Sequence, residues 1–383
     1  MFESLRTELR VYGESLREFA LEADKSRGLP PIYLQQESFY HPLWRLGVPQ
    51  EYGYTGIRGR DNQIYYGDTS LELAIWTEEL AYGDPAMMLS LPGPQLLGPI
   101  LKELGTQEQQ DKFFTSFMGR NPVWTAFNLT EPNAGSDIAA IETVATKKND
   151  GTYLLQGEKK YIANAERAQW ALSFAKMGHK NNTFAIQSFL IHEDQFENSD
   201  TVNRDYGRTL GMRAARLGHT VYNNLEVDKS QIIGLNKPPL QRGLRGAMKV
   251  FFRMRPSTSS IAIGTSRAMV DYVRENIKLN LNEEIILDEL QWKIERTRRL
   301  VYRAAKEVDK GIYNAGTSSM GKWMANNLVY EVTRRINQVI GSEAIIDHPL
   351  LEKWLRDGRM IEFMEGSTNI HKREVAQELL GIN

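Results

Sequence analysis

The chain of 383 residues contains no cysteine. That excludes a disulfide framework, a thiolate nucleophile, an iron–sulfur cluster and every zinc site that needs sulfur. Histidine is nearly as scarce. The six are His41, His179, His192, His219, His348 and His371, and no two stand in an HxxxH or HExxH relation, so no metal site is expected. Net charge is almost nil: 47 Lys and Arg against 48 Asp and Glu leave −1, which gives no basic bulk for nucleic-acid binding. No apolar run approaches the ~20 residues of a membrane-spanning helix. The N-terminus, MFESLRTELR, is charged from its third residue and lacks the basic-then-apolar order of a secretory signal. A cytoplasmic location is therefore expected. Walker motifs, a GxGxxG after a strand and internal repeats are missing as well.

What is present is an ordinary globular composition, 41% hydrophobic and 25% charged, with length for two to three domains at roughly 150 residues each. Leu5, Leu9, Tyr12, Leu16 and Phe19 form one stripe of an amphipathic helix. SLELAIWTEELAY (70–82) and the segment from Leu96 to Leu104 continue the helical pattern, giving a helical region over 1–120. The character changes near Trp124. TYLLQGEKKYIAN, WALSFAKM, FAIQSFLIH and TVYNNLEV alternate apolar and polar residues or run in β-branched and aromatic ones, with a hairpin turn expected at NDG (149–151). This strand region occupies 121–236. Helical spacing returns over 237–383: one long segment from about Gln241 to Asn280, others over Asp288–Lys310 and Ser318–Ile340, and a last one from near Glu365. Helix, strand, helix is an α+β arrangement rather than alternating βαβ units.

Three segments concentrate residues able to do chemistry. Asn128-Leu-Thr-Glu-Pro-Asn-Ala-Gly-Ser-Asp137 is a loop in which Thr130 and Ser136 offer hydroxyls and Gly135 allows backbone N–H groups close to an anion. An ordinary turn capping the next helix reads the same way. Glu365 stands before Gly366 and two hydroxyl residues, behind apolar Ile361, Phe363 and Met364. Burial there would raise its pKa and suit a general base acting on a weak carbon acid; the alternative is a helix cap. Arg242, Arg245, Lys249 and Arg253 recur at helical spacing ahead of Arg255. They form a solvated basic face or a docking strip for a phosphate or an acidic partner.

In this order, these segments resemble the acyl-CoA dehydrogenase family over nearly the whole chain. EELAYGDPAMMLSL (78–91) and LGTQEQQDKFF (104–114) are similar to its N-terminal helical domain. FNLTEPNAGSD (127–137) is similar to its flavin-loop signature, and GEKKYIANAERAQW (157–170) to its second flavin segment. GMRAARLGHTVYNNLEVDKSQIIG (211–234) resembles the end of its β-domain, and RDGRMIEFMEGSTNIHKREVAQELL (356–380) the stretch that holds its catalytic carboxylate. The resemblance implies an N-terminal helical domain (1–120), a β-barrel-like domain (121–236) and a C-terminal four-helix bundle (237–383). It implies FAD, contacted by Phe127, Leu129, Thr130, Gly135 and Ser136, by Tyr161 and Ala163, by Gln338 and Gly341 at the adenine end, and by Ser367 and Asn369. It implies that Glu365 takes the α-proton of an acyl thioester while hydride leaves from the β-carbon, with Phe252, Met254, Arg255 and Gly366 facing the substrate. It further implies a homo-oligomer, dimer or tetramer.

Several family positions are altered. The usual Trp-Ile-Thr beside the flavin is Tyr161-Ile162-Ala163, and an arginine directed at the partner subunit's FAD is Asn276. An Asp and a Thr that commonly face the CoA arm align with Phe252 and Met254. These changes favour an acyl group on a carrier protein, as in biosynthetic members that make extender units for polyketide or nonribosomal peptide assembly. The alternatives are a conventional acyl-CoA dehydrogenase that passes electrons to an electron-transfer flavoprotein, and a scaffold that has lost its flavin.

Overall fold

A computed structural model describes residues 2–178, 183–312 and 315–381; His179 lies outside them. Helix α1 (Glu3–Ser26) buries Leu5, Leu9, Leu16, Ala20 and Ala23, the stripe that the spacing predicts. Short helices α2 (Pro31–Leu34) and α3 (Glu37–Trp44) follow, then a small hairpin, β1 (Ile57–Arg58) with β2 (Ile64–Tyr65). Helix α4 (Ser70–Gly83) starts where Thr69 accepts the Glu72 N–H, and α5 (Pro85–Ser90) where Asp84 accepts that of Met87. Helices α6 (Leu97–Leu104) and α7 (Gln107–Thr115) complete the N-terminal part, α7 behind a Thr106/Gln109 capping box.

Among the described residues seven strands come next: β3 (Thr125–Asn128), β4 (Val144–Lys147), β5 (Tyr153–Ile162), β6 (Trp170–Met177), β7 (Ile186–His192), β8 (Val202–Tyr206) and β9 (Gly218–Val227). Strand β6 pairs with β7 on one side and, in parallel, with β3 and then β4 on the other; β5, β9 and β8 continue the sheet. The expected barrel does not close. Among the described residues no pairing joins the outer strands β7 and β8. The β4–β5 turn falls at NDG as expected, with Gly151 at φ 92°.

The chain ends in α8 (Gly243–Asn276), α9 (Leu281–Asp309), α10 (Ala315–Ala344, broken at Gly341 by φ 74°), α11 (Pro349–Met360) and α12 (Thr368–Leu380). α8, α9, α10 and α12 form the bundle. No helix among the described residues is long and apolar enough to cross a membrane.

Two cores position the site. One is continuous from α1 and α4 (Leu9, Trp76, Leu80) through α8 and α9 (Ile261, Val270, Ile294) to α10 and α11 (Val332, Trp354). Inside it, Glu78 and Glu79 of α4 meet Arg6, Arg267 and Arg298 from three other helices. The second joins α6 and α7 to β6 and to the start of α8 through Leu101, Phe113, Trp170, Leu244 and Phe251. Helix α8 belongs to both and so ties the sheet to the bundle.

Candidate active site

Glu365 closes the turn between α11 and α12. Its backbone is left-handed, φ 51°, and Gly366 follows at φ 103°. The N-cap of α12 is Ser367, so Glu365 is not a helix cap. The side chain is half-buried, and its Oε2 is buried with no hydrogen-bond partner. Burial raises the carboxyl above the ordinary range, against the pull of a Thr258 hydrogen bond and the charges of Arg255 and Lys322.

Arg255, buried in α8, donates to Glu374 Oε2 at 2.8 Å and to Ser319 Oγ at 2.7 Å. It is thus held inside the bundle by groups of α10 and α12. Burial opposes ionisation of Glu374, but His371, Arg255 and Ser319 hold it at about 2. His371 is fully buried, its Nε2 3.1 Å from the Gly366 carbonyl, which fastens the turn to α12. Lys322 of α10 is fully buried and donates to Asn326 Oδ1 (2.7 Å) and Ile361 O (3.0 Å); burial lowers it to about 7. Asn326 in turn donates to Thr368 (3.3 Å). Of these residues, Glu365 and Arg255 stand out in the sequence. His371, Lys322, Asn326, Ser319, Thr258 and Glu374 do not stand out there. The one signal for Lys322 was its place on the buried face with Ser318, Ala325 and Val329.

The 127–137 segment leaves β3 into its loop. Phe127 packs edge-on against Phe251 of α8 at 5.1 Å. Seven residues on, Thr258 lies on the same face about 10 Å along the axis, given a 1.5 Å rise per residue. One face of α8 therefore runs from the loop to Glu365. Leu129 is buried, Thr130 half-buried, and Gly135 and Ser136 exposed. The loop is anchored by Glu131, which accepts from Lys159 Nζ (2.6 Å), Thr143 Oγ1 (2.6 Å) and the Thr143 N–H (3.1 Å). Burial opposes its charge, yet Lys159 and the Glu142 N–H keep it below the ordinary carboxylate range. Tyr161 is 61% exposed on left-handed backbone, φ 64°, with Ala163 half-buried beside it. Asn128 Oδ1 and Asn164 Nδ2 are buried without partners.

Phe252 and Met254 are half-buried, Ser367 half-buried and Asn369 exposed. Gln338 and Gly341 are exposed, about 24 Å and about 28 Å along α10 from Lys322 at 1.5 Å per residue; the fold does not bring them to Glu365. Of the basic strip, Arg245, Lys249 and Arg253 are exposed on α8, Arg245 over the Phe184 ring at 3.8 Å. Arg242 is the extended N-cap of α8 (ψ 176°) and half-buried, so the strip is shorter than the spacing suggests.

The middle-domain model of acyl-CoA dehydrogenases matches residues 126–225, and the C-terminal-domain model matches 241–380. The chain belongs to the acyl-CoA dehydrogenase family. It is 28% identical to a 3-(aryl)acrylate reductase of Clostridium sporogenes, over 99% of this chain and 98% of that one. Butyryl-CoA dehydrogenase of Megasphaera elsdenii shares the fold, with a TM-score of 0.83, 20% identity and 99% of both chains covered. A prolyl acyl carrier protein oxidase matches with a TM-score of 0.78, 20% identity and 99% and 100% coverage. Within this family fold, the open space around Gly135, the uncovered Tyr161 ring and the unpartnered Asn128 Oδ1 and Asn164 Nδ2 fit a polar, planar cofactor.

Proposed function

We propose that the chain is an FAD-dependent dehydrogenase acting on an acyl thioester. The observation that carries this reading is Glu365: a raised carboxyl with one oxygen unpartnered, held at a left-handed turn in a buried polar cluster. FAD, when bound, supplies a hydride acceptor. Tyr161, Thr130, Gly135, Ser136 and the Asn128 and Asn164 amides would hold it, and Glu365 would take the α-proton. A raised carboxyl is a stronger base once ionised, which suits a weakly acidic C–H. The C. sporogenes relative, named as a reductase of an aryl acrylate, is consistent with the same Cα–Cβ chemistry run toward saturation. Glu365→Gln should keep FAD and fold and slow anaerobic flavin bleaching by about 10²–10⁴-fold, the usual cost of deleting a positioned base. A loss of only a few-fold would reject the role.

A second reading concerns what carries the acyl group. Arg245, Lys249 and Arg253 line an exposed face of α8 ahead of Thr258, and eight residues span about 12 Å. That extended row suits the acidic helix of a carrier protein, and a carrier protein is named for one structural relative. Arg245→Glu with Lys249→Glu should raise KM for a carrier-linked acyl group several-fold and leave a pantetheine thioester nearly unchanged, because exposed cations act mainly on association. Full activity on acyl-CoA alone would return the enzyme to catabolic chemistry with electron-transfer flavoprotein as acceptor.

We also propose a homo-oligomer. Leu281, Ile285 and Trp292 form an exposed apolar row on α9, and the exposed Gln338 and Gly341 are placed to serve a cofactor held by a second copy.

A further inference from the structure

The charges around Glu365 do not pair off evenly. Arg255 has its own carboxylate, Glu374, at 2.8 Å. Lys322 has none: it is fully buried, its ammonium donates only to the neutral Asn326 amide and the Ile361 carbonyl, and no ion pair to it forms among the described residues. Glu365 has the matching deficit, an Oε2 buried without a partner. An isolated ammonium in a protein interior is strongly disfavoured unless a countercharge offsets it. Lys322 is also placed rigidly. Asn326, one turn along α10, holds it, and Asn326 bonds Thr368 at the start of α12, so the lysine and the Glu365 turn are fixed to one another.

We propose that Lys322 is the buried counter-cation of Glu365, a positioning residue that keeps the carboxyl ionised before the α-proton is removed. This rests on the reading of Glu365 as the base. The groups facing Glu365 are Thr258 and Arg255 from α8, Lys322 from α10 and, around Lys322, Glu362 from the turn before it; His371 and Glu374 from α12 face Arg255. Arg255 and Lys322 both favour the charged carboxylate; Arg255 is shared with Glu374, whereas Lys322 has no other carboxylate in an ion pair among the described residues, so its ammonium form depends on Glu365. When Glu365 takes a proton, Lys322 loses its countercharge, so the protonated pair is a high-energy state that returns its proton readily to solvent or product.

The test reads the carboxyl directly. In FAD-free protein, the infrared carboxylate band that disappears in Glu365→Gln is titrated in wild type and in Lys322→Met. A facing opposite charge moves a carboxyl by about 1–3 pH units, so, if Lys322 is the counter-cation, the midpoint should rise by at least one unit in Lys322→Met. In the holoenzyme, the rate of flavin reduction should fall about ten-fold per unit at pH below the midpoint and recover at high pH. Lys322→Gln, which still donates to Asn326 and Ile361 but carries no charge, should do the same if the methionine variant folds poorly. Lys322→Arg should keep the wild-type midpoint. An unmoved midpoint in the neutral variants, with a uniform rate loss at every pH, would make Lys322 purely structural and overturn the proposal. Undiminished flavin reduction in Glu365→Gln would instead reject the base itself, whatever the infrared midpoint.

Discussion

Glu365 occupies a backbone conformation that an L-residue other than glycine, asparagine or aspartate adopts at a cost of order 1–3 kcal/mol. It also buries a carboxyl whose charged form is disfavoured. Both features are unfavourable for stability and useful for a base. Glu365→Gly should therefore fold at least as stably as wild type, with a gain of about 1 kcal/mol in denaturant unfolding, while substrate no longer bleaches the flavin. A clear destabilisation would mean that the side chain supports the turn instead of being supported by it. At this scale the sequence was partly legible. A carboxylate between apolar residues and a glycine announces an unusual environment. Lys322 and His371 did not announce theirs, because a single polar residue on a helix reads as an outward one until the opposing helices are known. Arg255 was found, but its direction into the bundle depends on Glu374, more than a hundred residues away.

Helix α12, capped by Ser367, carries Asn369, His371 and Glu374; it packs chiefly on α10 and is tied to α8 by the Arg255–Glu374 pair. Glu374 lies at about 2 in the folded chain against an ordinary 4.5. A depressed carboxyl contributes stability that is fully present above its unfolded pKa and is lost as pH falls through the folded one. Amide exchange of α12 should accordingly quicken between pH 4.5 and 2, ahead of the α4 and α8 core, and Glu374→Gln should show the quickened exchange already at neutral pH. Equal protection of α12 across that window would disprove the coupling. Most elements were legible in outline: β6 spans WALSFAKM as expected, and α4 and α6 fall on their segments. Helix α11 was not separated from the motif around it, although Pro349 at its start and Leu351, Trp354 and Leu355 on one face mark it. The β-barrel-like sheet is open among the described residues, because closure needs pairing between β7 and β8, which alternation within each strand does not encode.

At the scale of the whole molecule, the proposed homo-oligomer rests on the exposed apolar row on α9 and on the exposed Gln338. Sedimentation at micromolar concentration should show a dimer or tetramer, and Trp292→Asp, at a side chain 68% exposed in the single chain, should shift it toward monomer without lowering the unfolding temperature of the monomer. A wild-type monomer would remove the proposal. The continuous core joining α1 and α4 to α8–α11 has a further consequence, for synthesis. Trp76 and the carboxylates of Glu78 and Glu79 leave the ribosome about 160 residues before α8 exists to cover them, and Leu5 and Leu9 earlier still. At roughly 5–20 residues per second that is on the order of ten to thirty seconds of waiting. The local pairings of β4 with β5 and of β6 with β7 can form meanwhile, whereas the first residues made are among the last to be buried. A nascent chain halted before α8 should present its N-terminal helices to proteases and chaperones, and refolding of the full chain should show the sheet protected first.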